Sequence, residues 1–372
     1  TVIKNLFSLD RKKHPSRSID AELAPFIRSG KVTSVLILTH SYQGNGAAVM
    51  LVFLIEWMVN VLGWQVQAYS LGLPEEDKNK LRSIGVGLVD QVHPEQYDFA
   101  ICNTVVSGLA FIDKFGAELP CVLWVHEGEF VLWNSRLALG EWKRLFTMSR
   151  LVIFQSAWQA ERIFGSFTSG FSTNQYAVIP NCLPQISETF DSFEKSKKLK
   201  KRIVFIGGVY DRKRPHDLMR AVQSIVRSDV ECVFVGTTIN LSSEIQSVLK
   251  SDRRFHLMGE VSRDVAIATL ASADVLSLPS SDESQPVVLL EAARLGIPIV
   301  ISDLPVYRGI WLHGENCLMH PVGDVKSLAN QLSICLDGRA PKPVLNAGID
   351  FSTSSFYSHF KQHFDALLLA VK

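Results

Sequence analysis

Short apolar runs alternate with helical patterns along the chain. The runs fall at residues 35–39, 65–70, 99–102, 122–125 and 152–154, then at 203–206, 232–235, 275–278 and 299–301. Continuous Val, Ile, Leu and Phe over so few residues, without polar alternation, describes strands covered on both faces, as in parallel sheets flanked by helices. Alternation with helical segments predicts an α/β protein with two doubly wound sheets. The two series are separated at about 183–202, where a polar stretch ends in Lys195, Lys197, Lys198, Lys200, Lys201 and Arg202 and reads as an interdomain linker. The expected division is an N-terminal domain over 1–190, a C-terminal domain over 191–350, and a terminal helix over 351–372. Phe356, Phe360, Phe364, Leu367 and Leu368 recur at helical spacing in that last segment, so it must pack, and is expected to cross back to the N-terminal domain.

Composition narrows the function classes. The chain has 372 residues, 47% hydrophobic, with 38 basic and 37 acidic side chains, enough for two domains with their own cores. Near-neutrality gives no general attraction for nucleic acid or anionic lipid, so phosphate binding needs a local site. The six basic residues of the linker form the one feature able to approach a membrane surface carrying a lipid-linked acceptor. Six scattered cysteines with no Cys-x-x-Cys pair and no histidine cluster predict reduced core thiols, no metal and a cytoplasmic setting. Residues 1–31 lack an apolar signal core, so no export signal is expected. Residues 47–64 approach membrane-spanning length, but Glu56 and Asn60 lie inside, and a carboxylate near the bilayer centre costs about 3 kcal/mol, which favours a buried helix.

The most informative stretch is Leu278-Pro279-Ser280-Ser281-Asp282-Glu283-Ser284-Gln285-Pro286-Val287-Val288-Leu289-Leu290-Glu291-Ala292, followed by Gly296-Ile297-Pro298-Ile299-Val300. A strand ends, a polar loop follows, and a helix begins near Pro286. Proline at the first helical position is preorganised, and the free N–H groups of Val287 and Val288 face the loop at the positive end of the helix dipole. That is an anion site suited to phosphate. Glu283 stands ahead of the helix where it can accept from hydroxyls attached to that phosphate, and Glu291 further in can hold a diol such as ribose.

These residues resemble the retaining glycosyltransferases of family 4, which have the GT-B fold of two Rossmann-like domains. Glu283 and Glu291 have seven residues between them, as in that family's Glu-x7-Glu element, and Ser280, Ala292, Gly296, Pro298 and Val300 fall at its consensus positions. The resemblance runs from about residue 32 to the terminal helix. Asn45-Gly46-Ala47 stands where the family has a Gly-Gly-Ala turn near the diphosphate and acceptor, with Asn45 in place of glycine, so that Gly44, Asn45 and Gly46 make the acceptor-side loop. Val122-Leu123-Trp124-Val125-His126-Glu127 matches the strand whose terminal histidine lies against the donor sugar. Ile179-Pro180-Asn181-Cys182 resembles the segment closing the first domain, with Cys182 for glycine. Phe205-Ile206-Gly207-Gly208-Val209-Tyr210-Asp211-Arg212-Lys213-Arg214-Pro215 covers the loop carrying the family's diphosphate clamp. Lys213 matches its lysine, but Gly208 occupies the arginine position, leaving Arg212 or Arg214 to supply the second charge. Met258-Gly259-Glu260-Val261 falls where the family's backbone meets the base.

The resemblance implies catalytic roles for His126, Glu283 and Lys213, and donor binding by Gly46, Arg212, Lys213, Gly259, Glu260, Ser284, Gln285, Pro286, Val287, Val288 and Glu291. It also implies metal-independent, retaining transfer of a hexose from a nucleoside diphosphate sugar, UDP-glucose first and GDP-mannose second, to a glycan or lipid-linked acceptor. No Asp-x-Asp element is present, and no cofactor beyond the donor is expected. Two alternatives stay open: a nucleotide-sugar epimerase of the same architecture, and a non-catalytic subunit binding nucleotide or glycan, suggested by Gly208, Asn45 and Cys182.

Overall fold

The computed structural model describes residues 32–42, 45–116, 118–172, 174–183, 186, 200–238, 241–345 and 348–371. Gly44, residues 1–31 and most of the basic linker lie outside the described residues.

Thirteen described strands form two parallel sheets. The first contains β1 (Ser34–Leu38), β2 (Gln65–Tyr69), β3 (Gly87–Val89), β4 (Phe99–Asn103), β5 (Cys121–Trp124), β6 (Leu151–Phe154) and β7 (Tyr176–Val178), in the order β3-β2-β1-β4-β5-β6-β7. The second contains β8 (Lys201–Ile206), β9 (Val230–Val235), β10 (Phe255–Gly259), β11 (Val275–Leu278), β12 (Ile299–Ser302) and β13 (Leu318–His320), in the order β10-β9-β8-β11-β12-β13. Every residue of β4, β5, β6, β11 and β12 is buried, which is why these segments read as unbroken apolar runs. Four strands lie outside the nine runs, all at sheet edges: β3, β7 and β13 have three residues each, too short to show a pattern, and β10, with five, is largely exposed.

Strand order reverses between β1 and β4 in one sheet and between β8 and β11 in the other. At such a point the connections leave to opposite faces and a crevice opens at the carboxyl ends of the strands. Both crevices open into one cleft of about 330 Å³ between the halves.

The apolar run near the membrane-spanning threshold is the helix Gly46–Asn60, packed against the first sheet and against the C-terminal helix. No described helix is long and apolar enough to cross a membrane. The helix Thr353–Val371 returns from the end of the second half to the core of the first. Tyr357 stacks on Trp57 with centroids 4.8 Å apart, Phe360 meets Trp124 edge-on at 4.9 Å, and Phe364 lies 5.0 Å from Phe99. All six cysteines are buried and unbridged.

Phe360 is fully buried against the strand that leads to His126. Phe360→Ala is expected to lower stability by about 3–5 kcal/mol through lost burial and a cavity. Urea or guanidinium unfolding of the two proteins measures the difference.

Candidate functional site

The cleft is built from loops that follow strands at the two reversal points. After β8 the chain turns through Gly207 and Gly208 into Tyr210, Arg212 and Lys213, and after β11 it runs through Ser280 to Pro286. Because β8 and β11 are paired neighbours, the two loops meet. Lys213 Nζ lies 2.5 Å from Glu283 Oε1, Arg212 Nη1 lies 3.6 Å from Oε2, and Ser280 Oγ donates to Oε1 at 2.6 Å. Burial by itself raises the Glu283 pKa, but the charges of Lys213 and Arg212, with the hydrogen bonds from Lys213 and Ser280, hold it below the ordinary glutamate value. Glu283 is therefore an ionised acceptor at neutral pH.

The family's missing arginine has a geometric reason. A Cβ at residue 208 would collide with the Tyr210 ring, so only glycine fits beneath it. Arg212 lies 5.6 Å from the centroid of that ring, donates to the Tyr210 hydroxyl at 3.0 Å and to the carbonyl of Asp282 at 2.5 Å, and faces Glu283. Arg214, in a left-handed backbone conformation, pairs with Asp217 and does not line the cleft. Of the two arginines considered for the second charge, Arg212 is the one in the site.

Two helix N-termini face each other across the cleft. The helix Val287–Arg294 begins one residue later than its proline suggests: Pro286 is extended, with ψ 117°, and serves as the N-cap residue. Val287 and Val288 then supply the first helical N–H groups. A Cβ on Gly46, the first residue of the helix Gly46–Asn60, would lie 3.3 Å from Val287 Cγ2. Asn45, in place of a glycine, is the N-cap of that helix, its Oδ1 accepting from Ala48 N–H at 2.9 Å. The positive ends of both dipoles thus point at one place. Ser284 and Gln285 complete this rim.

Further along the cleft, Glu291 is buried and pairs with Arg263 at 2.5 Å, although burial outweighs that charge and raises its pKa. Glu260 lines the wall, whereas Gly259 stands behind it with its carbonyl accepting from Gly236 N–H at 2.8 Å. Gly207 and Gly236 both have positive φ and form a bare backbone floor. Gly236 approaches Gly207 too closely for any Cβ.

The opposite wall is a chain of side chains from successive strand ends. His126 Nε2 lies 2.7 Å from Asn103 Oδ1, its Nδ1 lies 2.7 Å from Gln155 Nε2, and Gln155 Nε2 also reaches Asn181 Oδ1 at 3.1 Å. Asn181 then crosses to the other half, donating its backbone N–H to Gln285 Oε1 at 2.6 Å and its Nδ2 to the Gln285 carbonyl at 2.9 Å. Thr104, which follows Asn103, has φ 117°, a costly conformation for a β-branched residue at the turn from β4 into the helix Val105–Phe115. Both ring nitrogens of His126 are bonded within the protein. Burial, helped by the nearby His40, lowers its pKa to about 3, so the ring is neutral. The resemblance puts this histidine against the donor sugar; in the structure both of its ring nitrogens have protein partners. Asn103, Gln155 and Arg263 carried no signal of their own, and Asn181 and Tyr210 stood only as members of longer segments, because only folding brings these single polar residues together. Among the described residues no group of three His, Cys, Asp or Glu side chains is placed to hold a metal ion.

Beside His126, Glu127 accepts from its own neighbour's N–H at 2.9 Å and from Val105 N–H at 2.8 Å, while burial pushes its pKa up to about 7. The folded state therefore holds this proton at pH values where the unfolded chain, near 4.3, has released it. Stability from this group is greatest at acidic pH and declines as pH rises toward about 7. Thermal melts from pH 5 to 8 are expected to show the wild type losing Tm relative to Glu127→Gln over that window; parallel profiles would exclude the assignment.

Comparison with known proteins places these features. Residues 200–337 match the family described as "Glycosyl transferases group 1". The phosphatidyl-myo-inositol mannosyltransferase of Mycobacterium leprae is 32% identical over 142 residues, 36% of this chain and 37% of that protein. The Escherichia coli UDP-Gal:alpha-D-GlcNAc-diphosphoundecaprenol alpha-1,3-galactosyltransferase is 25% identical over 259 residues, 63% of each. The chain thus spans less than two thirds of either relative's length. The crystal structure of Anabaena Alr3699/HepE in complex with UDP and glucose superposes over 91% of this chain and 97% of its own, with TM-score 0.66 and 17% identity. The fold is accordingly GT-B.

Proposed function

We propose that this chain is a glycosyltransferase that moves a hexose from a nucleoside diphosphate sugar to a glycan or lipid-linked acceptor. One observation carries the reading: Glu283, Lys213 and Arg212 are gathered beside two facing helix N-termini in the cleft between the sheets. A diphosphate needs concentrated positive charge, and a sugar needs buried acceptors; this cleft supplies both within a few ångströms. The group 1 glycosyl transferases match over residues 200–337, which include all three residues, supports the same reading.

In this reading the diphosphate lies against the N–H groups of Val287 and Val288 and near Gly46, with Lys213 and Arg212 offsetting the charge that develops as the anomeric C–O bond breaks. Glu283 accepts from sugar hydroxyls, Glu291 from the ribose, and the wall at Glu260 borders the base. His126, neutral and fully hydrogen-bonded, holds the wall beside the sugar. We assign a retaining course: the acceptor oxygen bonds to the anomeric carbon on the face the diphosphate leaves, and its proton passes to the departing phosphate oxygen. Charge neutralisation by Lys213, Arg212 and the helix ends leaves no step for a metal. UDP-glucose is the first donor to try and GDP-mannose the second; UDP and glucose are in the HepE complex, and the M. leprae relative is named a mannosyltransferase. Arg212 in the site favours transfer over a silent subunit, because it supplies the cation that Gly208 lacks.

Glu283→Ala and Lys213→Ala are each expected to lower transfer or donor hydrolysis by roughly 100-fold or more, as for loss of one preorganised electrostatic group. In Lys213→Ala, Glu283 also loses its nearest cation, burial prevails, and the acid limb of the pH profile moves upward. Glu291→Ala is expected to weaken nucleotide binding more than it lowers the maximal rate. Calorimetric titration with UDP, GDP and ADP, without metal, measures the binding; absence of binding by all three would remove the assignment.

A further inference from the structure

The amide chain across the cleft leaves two atoms without protein partners, and backbone groups decide which atoms they are. A backbone N–H can only donate, so the bond from Asn181 N–H makes the near atom of the Gln285 amide its oxygen. A backbone carbonyl can only accept, so the Gln285 carbonyl makes the near atom of the Asn181 amide its nitrogen. Asn181 Oδ1 is then an acceptor, and the Gln155 atom facing it must be nitrogen. That nitrogen's second hydrogen goes to His126 Nδ1, so the imidazole proton sits on Nε2 and is donated to Asn103 Oδ1. The far end agrees: Asn103 Nδ2 donates to the Ala47 carbonyl at 3.3 Å.

With every direction settled, Gln155 Oε1 and Gln285 Nε2 remain, both buried and without a partner among the described residues. Gln155 is 2% exposed and Gln285 8% exposed, and both line the cleft, each bonded to Asn181. A buried amide atom left unpaired costs about 1–3 kcal/mol, so this pair is incomplete until a ligand fills it. Gln155 needs a donor and Gln285 an acceptor. Hydroxyl groups satisfy both, whereas a carboxylate satisfies only Gln285 and an apolar group neither.

We propose that Gln155 and Gln285 form a specificity subsite for neutral hydroxyls of the transferred sugar. This rests on the transferase reading above and adds which residues recognise the sugar apart from its diphosphate. Gln155 belongs to one half and Gln285 to the other, so together they read one end of the donor from both halves of the protein.

The test uses the full chain and two variants. Gln155→Met removes the unpaired acceptor at similar length; Gln285→Glu keeps an oxygen for Asn181 N–H while exchanging the unpaired donor for an acceptor, and its added charge beside the helix N-terminus is expected to weaken free nucleotide as well. Calorimetry first finds which of UDP, GDP and ADP binds the wild type, then compares that nucleotide with its glucose or mannose conjugate in all three proteins. The expected result is free nucleotide affinity within about threefold of wild type in Gln155→Met, with affinity for the sugar conjugate lowered roughly tenfold or more; in Gln285→Glu both fall, the conjugate roughly tenfold further than the free nucleotide. Conjugate and free nucleotide weakened by the same factor would mean that the amides only hold the fold, and unchanged conjugate affinity would mean that they face no sugar. Either overturns the subsite while leaving the transferase reading intact. A wild type that binds none of the nucleotides removes that reading, and the subsite with it.

Discussion

The carboxylate of Glu283 is the constraint around which the rest of the site is arranged. Burying an ion costs several kcal/mol unless opposite charge and hydrogen bonds replace its water. Here the replacement comes from Lys213, Arg212 and Ser280. The two cations belong to the loop after β8 and the carboxylate to the loop after β11, so the arrangement depends on those strands being neighbours across a gap in sequence of about 70 residues. It also depends on glycine at 208, since only then can the Tyr210 ring fold over and support Arg212. Cations held in this way around a carboxylate are already desolvated and oriented, which is the condition under which they act strongly on a phosphate group.

The second requirement is that both halves meet at the same point. Gly46 against Val287 brings the helix ends together, and Asn181 against Gln285 continues the polar wall of one half into the rim of the other. The Asp282 carboxylate lies against Gly128, where it would overlap any Cβ, and the backbone N–H groups of Glu129 and Phe130 hold down a pKa that burial raises. The terminal helix adds an apolar tie, carrying the end of the chain back onto Trp57, Trp124 and Phe99. Charged, amide and apolar contacts therefore all join the two halves around the cleft.

His126 illustrates how a residue's chemistry is set by its surroundings. Its place at the end of a buried strand is visible in the apolar run that precedes it. Its chemistry is set by Asn103 and Gln155, which occupy both nitrogens and keep the ring neutral. The same surroundings leave Gln155 Oε1 buried without a partner among the described residues.

By itself the sequence determined the two doubly wound sheets, because most strands buried on both faces are continuously apolar and the helices between them are amphipathic or apolar; it also set Glu283 and Glu291 around a helix start near Pro286, whose spacing is local, whereas the meeting of Lys213 with Glu283 was decided by the pairing of β8 with β11. Three-residue edge strands fell below that signal. Only the tertiary structure decided that Arg212 rather than Arg214 enters the site, that Asn45 caps a helix, and that Gln155, Asn181 and Gln285 form one chain of hydrogen bonds. Those outcomes depend on which atoms meet across strands and halves distant in sequence, and a hydrogen bond has a direction that no single residue carries until its partner is in place.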